Sequence, residues 1–371
     1  MGFPRPTSLL RQWMPRIWLG CDLYGWLRLI WLGRFSFGWR QWRLLPIGTA
    51  FALGHTFLRY AQLGLYGERI RNTRIDQPPI FILGHWRSGT TLLHELLVLD
   101  PRHTFPNTYQ CFDPCHTLLT ETWIRKYFNW MLPEKRMMDN MPVGWDRPQE
   151  EEFALALLGA PSPYLDIAFP NRAPLEPESL DLDELPPRRR TEWKRAFLWF
   201  LKTITLRDPR RLVLKSPPHT CRIPTLLELF PDARFIHIVR DPVAIYSSTV
   251  NLWKTLQGSQ GLHTPTFEGM EERVFEIFLH FHKRVEETRG LIPPGRFCEL
   301  KFEDLTKDPV VEVKRLYEHL DLGDFELLRP HLERYVAETA RYERNKWQPS
   351  DEQVQNVRDR WGAVMTKYGY G

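Results

Sequence analysis

From Pro79 onward, short apolar runs alternate with longer stretches in which apolar residues recur every three or four positions. Parallel sheets with crossover helices produce this alternation. Strands are predicted at 80–84 (IFILG), 211–215 (RLVLK), 234–239 (RFIHIV) and 296–302 (RFCELKF), with a helix at 90–99 that Pro101 ends. Further helices are predicted at about 149–159, 189–206, 222–230, 242–253, 270–289, 309–320 and 351–368. Together these make an α/β fold, a three-layer sandwich around a central parallel sheet. Two stretches interrupt the pattern. Residues 161–187 are rich in proline and acid, and 257–268 lack periodicity, so both are expected as long loops. The first is a candidate lid or a disordered excursion.

Residues 1–70 follow neither pattern. Trp13, Trp18, Trp26, Trp31, Trp39 and Trp42 are interleaved with Arg11, Arg16, Arg28, Arg34, Arg40 and Arg43. The apolar run 17–33 is broken by Asp22 and Arg28, short of the ~20 apolar residues of a spanning helix, and no small-residue cleavage site follows it. Two uses stay open. The segment either lies at a lipid headgroup layer, where indole and guanidinium are at home, or packs its indoles on the main domain. The expected division is a Trp/Arg-rich helical N-terminal extension at 1–70 and one elaborated α/β domain at 71–371.

Composition narrows the partners. With 50 Lys and Arg against 45 Asp and Glu, the net charge of +5 suits an anionic ligand. The basic residues are dispersed among the acids, so nucleic acid is not expected. Cys21, Cys111, Cys115, Cys221 and Cys298 have no framework spacing, and no N-x-[ST] acceptor occurs; both point to a reducing, cytoplasmic setting. Cys111, Cys115 and His116 lack the second Cys/His pair of a zinc finger, so no metal is expected.

The candidate chemistry begins at 81–97, FILGHWRSGTTLLHELL. Gly84 and Gly89 stand at the spacing of a G-x-x-x-x-G-K-[ST] nucleotide loop, yet Thr90 takes the lysine's place and Thr91 the hydroxyl's. Strand, glycine-rich turn and helix in that order aim backbone N–H groups at an anion. Without the lysine, triphosphate chemistry loses its main cation, and Arg87 offers another before the turn. RSGTT after an apolar strand resembles the 5′-phosphosulfate loop of sulfotransferases that use 3′-phosphoadenosine 5′-phosphosulfate (PAPS). FIHIVRDPVAIYSS (235–248) resembles the family's 3′-phosphate element, in which Arg240 at a strand tip offers a bidentate fork and Ser248, eight residues on, a hydroxyl.

This resemblance covers roughly 79–321 and implies a P-loop-like enzyme that transfers a sulfuryl group from PAPS to a hydroxyl or amine. The acceptor, whether small molecule, lipid or carbohydrate, is open, as is peripheral membrane contact through residues 1–70. The resemblance also implies that Arg87, Ser88, Gly89, Thr90 and Thr91 hold the 5′-phosphosulfate, and Arg240 and Ser248 the 3′-phosphate. It implies catalytic roles for Arg87 at the bridging oxygen and Lys215 at the sulfuryl oxygens. For the base, His219 is a candidate because it stands four residues beyond Lys215 and an imidazole can take a proton. Glu150, Glu151 and Glu152 compete with it, although Asp146, Pro148 and Gln149 read as a capping box that gives those acids a helix-dipole role. Arg344, Lys346 and Trp347 are further candidates for the 3′-phosphate and adenine. Two rival functions remain: a kinase or ATPase in which Lys215 replaces the loop lysine, and a membrane-surface scaffold.

Overall fold

Strands buried on both faces send alternate residues into two cores. The computed structural model describes residues 16–128, 144–339 and 349–370. Among them lie five parallel strands, β1 (Ile80–Leu83), β2 (His103–Thr104), β3 (Arg211–Lys215), β4 (Arg234–Val239) and β5 (Phe297–Lys301), ordered β2-β3-β1-β4-β5. Ile80 pairs with Val213 on one side and Arg234 on the other, which puts β1 at the centre. Phe81, Leu83, Leu212, Leu214 and Phe235 enter one core; Ile80, Ile82, Val213, Ile236 and Ile238 enter the other. The sheet is thus the middle of three layers, as the periodicity predicts.

The helices are α1 (Leu23–Leu32), α2 (Leu44–Asn72), α3 (Thr90–Leu97), α4 (Thr108–Phe112), α5 (Thr117–Tyr127), α6 (Glu151–Leu157) and α7 (Pro187–Arg207). There follow α8 (Ile223–Leu229), α9 (Pro242–Gln260), α10 (Met270–Thr288), α11 (Phe302–Lys307), α12 (Pro309–Leu320), α13 (Arg329–Thr339) and α14 (Asp351–Tyr368).

Three expectations are corrected. The stretch 161–187 is neither lid nor excursion: Tyr164, Leu165, Ile167, Ala168, Phe169 and Leu182 are buried in the first core. The second loop is shorter than predicted because α9 continues to Gln260. Its last turn is held by the extension, with Gln260 accepting from the Ile17 N–H at 2.9 Å through its side chain and from Trp18 Nε1 at 2.8 Å through its carbonyl. Finally, the capping box at Asp146 and Gln149 does not form. The helix starts at Glu151, and Pro148 instead bridges to Asn107 while the Gln149 N–H donates to the Pro106 carbonyl at 2.9 Å.

The Trp/Arg segment does two things at once. Trp18 and Trp26 are buried in the first core with Leu29 and Ile30, whereas Trp31, Trp39 and Trp42 are exposed. Along α2, Ile47, Phe51, Leu53, Phe57, Tyr60 and Leu65 also face outward. Among the described residues no helix is long and apolar enough to cross a membrane.

Candidate active site

Because β1 lies between β3 and β4 in a parallel sheet, the segments leaving these three strands share one edge. Ligands bind at that edge in open parallel sheets. Between β1 and α3, Gly84 (φ 144°) and Gly89 (φ 105°) adopt angles that favour glycine. A Cβ at Gly84 would fall 2.7 Å from the Ile238 carbonyl oxygen, and one at Gly89 2.2 Å from the Phe302 ring. Arg87 also has a positive φ, 69°, the kind of backbone strain that surrounding structure must enforce. The brace is visible: Ser88 Oγ donates to the His85 carbonyl at 2.8 Å, and the Gly84 N–H donates to Thr220 Oγ1 at 2.8 Å. The first α3 ladder bond runs from the Leu93 N–H to the Gly89 carbonyl, so the Thr90, Thr91 and Leu92 N–H groups have no acceptor within the helix.

The two predicted anion elements are one connected structure. The Arg87 Nε donates to Ser248 Oγ, on α9, at 2.7 Å, and the Arg240 guanidinium donates to the Arg87 carbonyl at 2.9 Å. Arg240 also lies 4.3 Å over the Phe302 ring, the same ring that covers Gly89. Phe302 therefore positions both elements. It ends the predicted strand RFCELKF, but its role depends on β5 running beside β4.

Lys215, at the tip of β3, is almost fully buried. Its Nζ reaches Glu150 Oε1 at 2.5 Å and Thr91 Oγ1 at 3.4 Å, so the predicted lysine does meet the loop. The Tyr164 hydroxyl donates to the other Glu150 oxygen and accepts from Trp86 Nε1 at 3.0 Å. His219 is placed differently from what a proton acceptor for a bound substrate requires. It is completely buried, with its Nε2 on Glu151 and its ring packed edge-on against Phe81 and Phe197 at 5.4 and 5.6 Å. Burial acts to raise the Glu151 carboxyl, but attraction and hydrogen bonding to His219 overcome it and hold Glu151 below its ordinary range. Glu152 completes the series by pairing with Arg222 at 2.5 and 3.1 Å. Each of the three glutamates thus meets one basic residue from the tip of β3 or the segment that follows it. Arg344, Lys346 and Trp347 lie outside the described residues.

Residues 78–326 match the sulfotransferase family. The chain is 44% identical over 98% of its length, and 93% of the relative's, to omega-hydroxy-beta-dihydromenaquinone-9 sulfotransferase Stf3 of Mycobacterium bovis. It is 28% identical to human carbohydrate sulfotransferase 6, over 78% of this chain and 74% of that one. Among solved structures, sulfotransferase STF9 of Mycobacterium avium superposes with a TM-score of 0.65 at 21% identity, covering 85% of this chain and 82% of its own. That last likeness is one of fold.

Proposed function

Because the chain belongs to the sulfotransferase family, an enzyme class that moves a sulfuryl group from PAPS to an acceptor, we propose that the shared strand edge carries out this transfer. Arg87, Ser88, Gly89, Thr90 and Thr91 hold the 5′-phosphosulfate, and Arg240 and Ser248 hold the 3′-phosphate. The observation that carries this assignment is the Arg87 bond to Ser248, which ties the two anion elements into one cradle. A bisphosphate with a group at each end fits such a cradle better than the triphosphate of the kinase alternative, in which Lys215 has to replace the loop lysine although it is paired with Glu150 at 2.5 Å.

In the transfer, the bond from sulfur to the bridging phosphate oxygen breaks as a bond to the acceptor oxygen forms, and the acceptor proton passes to a base. Arg87 neutralises the departing phosphate, and Lys215 the sulfuryl oxygens. Glu150 takes the proton in place of His219, since it is the carboxylate that touches Lys215, while Tyr164 and Trp86 fix its orientation.

The acceptor is a hydroxyl on a hydrophobic, lipid-like molecule, met at a membrane that residues 1–70 touch peripherally. Two things support this: the mycobacterial relative is named for a hydroxylated menaquinone, and α2 and the preceding turn carry Trp39, 80% exposed, and Phe57, 74% exposed. The carbohydrate relative is more distant and has no such argument from this surface.

Calorimetric titration with 3′,5′-adenosine bisphosphate tests the cradle. Arg87→Ala and Arg240→Ala should each weaken binding ~10- to 100-fold, the worth of a charge-assisted contact. Glu150→Gln should bind the bisphosphate normally yet slow transfer of ³⁵S from labelled PAPS ~10²–10⁴-fold. Unchanged affinity in the double arginine variant rules out the cradle, and undiminished turnover in Glu150→Gln rules out the base.

A further inference from the structure

Where the corner between α4 and α5 meets α2, three potential ligand atoms converge. His55 of α2, Asp113 at the end of α4 and His116 at the start of α5 bring Nδ1, Oδ1 and Nε2 together. His55 Nδ1 is 2.7 Å from His116 Nε2 and 3.3 Å from Asp113 Oδ1, and the latter two are 3.0 Å apart. All three atoms lie within 4.8 Å of one another. The surroundings determine which of these atoms carry protons. His116 Nδ1 bonds Thr120 Oγ1 at 2.8 Å, Thr120 Oγ1 bonds the Tyr109 hydroxyl at 2.7 Å, and Tyr109 donates to Asp113 Oδ2 at 2.9 Å. Run in the direction that ends on an ionised carboxylate, with Thr120 Oγ1 turning its proton from the His116 carbonyl at 3.0 Å to Tyr109, this chain takes one proton from each member: imidazole N–H to hydroxyl, hydroxyl to phenol, phenol to carboxylate. His116 is then protonated on Nδ1 and bare on Nε2. Asp113 Oδ1 is buried and faces the two ring nitrogens, His116 Nε2 at 3.0 Å and His55 Nδ1 at 3.3 Å. Two lone-pair atoms thus face each other, with a third ring nitrogen beside them, and a cation between them would satisfy all three.

We propose that His55, Asp113 and His116 form a binding site for a zinc-class divalent cation that clasps α2 to the α4–α5 corner. Two imidazoles and a carboxylate are the ligand set such an ion accepts with one position left open. The chain through Thr120 and Tyr109 supplies the outer hydrogen bonds that orient metal ligands. Bonds of ~2.0–2.2 Å space tetrahedral donors by about 3.3 Å, so the closest pair must part by roughly 0.6 Å. The two rings, now stacked with their planes 8° from parallel, turn so that their lone pairs converge. The same corner is already anchored to α2 two turns along, where Gln62 donates to the Cys115 carbonyl at 3.2 Å and accepts from the Leu118 N–H at 2.8 Å. The metal would complete that anchor. Cys111 and Cys115 take no part among these donors, and His55 is the ligand that sequence spacing could not supply.

The test uses the full chain, dialysed against zinc chloride and then against metal-free buffer, with metal measured by mass spectrometry. About one equivalent of zinc should remain bound, and His55→Gln and Asp113→Asn should each lose at least nine-tenths of it while circular dichroism stays unchanged. Cobalt(II) added to the unsubstituted chain should give the visible absorption of a tetrahedral or five-coordinate site, a readout that depends on no variant folding. Zinc should also raise the melting temperature of the wild type and leave that of Asp113→Asn unmoved. No retained zinc and no cobalt absorption would mean that a shared proton alone holds the cluster, and the proposal fails; equal zinc in wild type and both variants places the metal elsewhere and also overturns it.

Discussion

Glu150, Glu151 and Glu152 are adjacent in the chain yet have three different partners. They stand at the start of α6, where successive side chains diverge by about 100° around the axis. Lys215 at the tip of β3, then His219 and Arg222 in the segment that follows, meet them in turn. Glu150 is therefore left at the ligand edge while the other two are sealed inside. Two histidines near this edge are neutral by design of their surroundings. Burial lowers His85 to about 4, and burial together with the nearby Lys215 charge lowers His94 to about 3. Unfolded, both return to about 6.5. The native state thus binds fewer protons between these values, so their contribution to stability is complete above about pH 6.5 and is lost as the pH falls toward 4 and then 3. Melting temperature should decline progressively from pH 7 to 4, and His94→Gln should flatten that decline; a pH-independent melting curve over this range would contradict the assignment.

Arg222 and Glu152 fasten α6 to the turn before α8. Both side chains are fully buried, and Arg222 also donates to the Ser179 carbonyl at 2.6 Å and the Leu180 carbonyl at 3.1 Å. Removing one member leaves the other charge desolvated and unpaired, which costs far more than the pair itself contributes. Arg222→Met should therefore lose about 3–5 kcal/mol in urea unfolding, and adding Glu152→Leu to it should recover much of that loss. A single variant within 1 kcal/mol of wild type would show that the pair is not isolated from water. The same pair explains why the stretch 161–187 is ordered. The stretch's proline and acid content suggested a loop open to solvent, but Arg222 binds its backbone at Ser179 and Leu180, and Ser162 donates to Glu152 at 2.6 Å. Strands β1, β3 and β4, by contrast, were legible because an unbroken apolar run bounded by polar turns has few other uses. The two residues of β2 are too few to leave a period.

Across the molecule, the exposed aromatics are concentrated on the extension. Trp31, Phe35, Trp39 and Trp42 continue into the outward face of α2, and Arg34, Arg40 and Arg43 stand exposed among them. Apolar groups flanked by guanidinium suit an anionic bilayer surface, and burying one such ring contributes about 1.5–3 kcal/mol. The chain should float with vesicles containing anionic phospholipid, less so in high salt, and replacing Trp39 and Phe57 by serine should reduce the bound fraction at least ~10-fold. Flotation that is unaffected by both substitutions would assign membrane contact to another surface.

What is local in this protein was readable from the order of residues: the glycine turn between strand and helix, the arginine at a strand tip, and the mixed Trp/Arg composition of residues 1–70. Each depends on neighbours a few positions apart, where backbone sterics and side-chain period leave little choice. Which faces meet was a matter of three-dimensional packing. Phe302 over Gly89, Gln260 under Trp18, the fan of glutamates and the approach of His55 to His116 join residues 61 to 242 positions apart. Many arrangements satisfy the same apolar pattern, and only side-chain volume and the pairing of buried charge select among them.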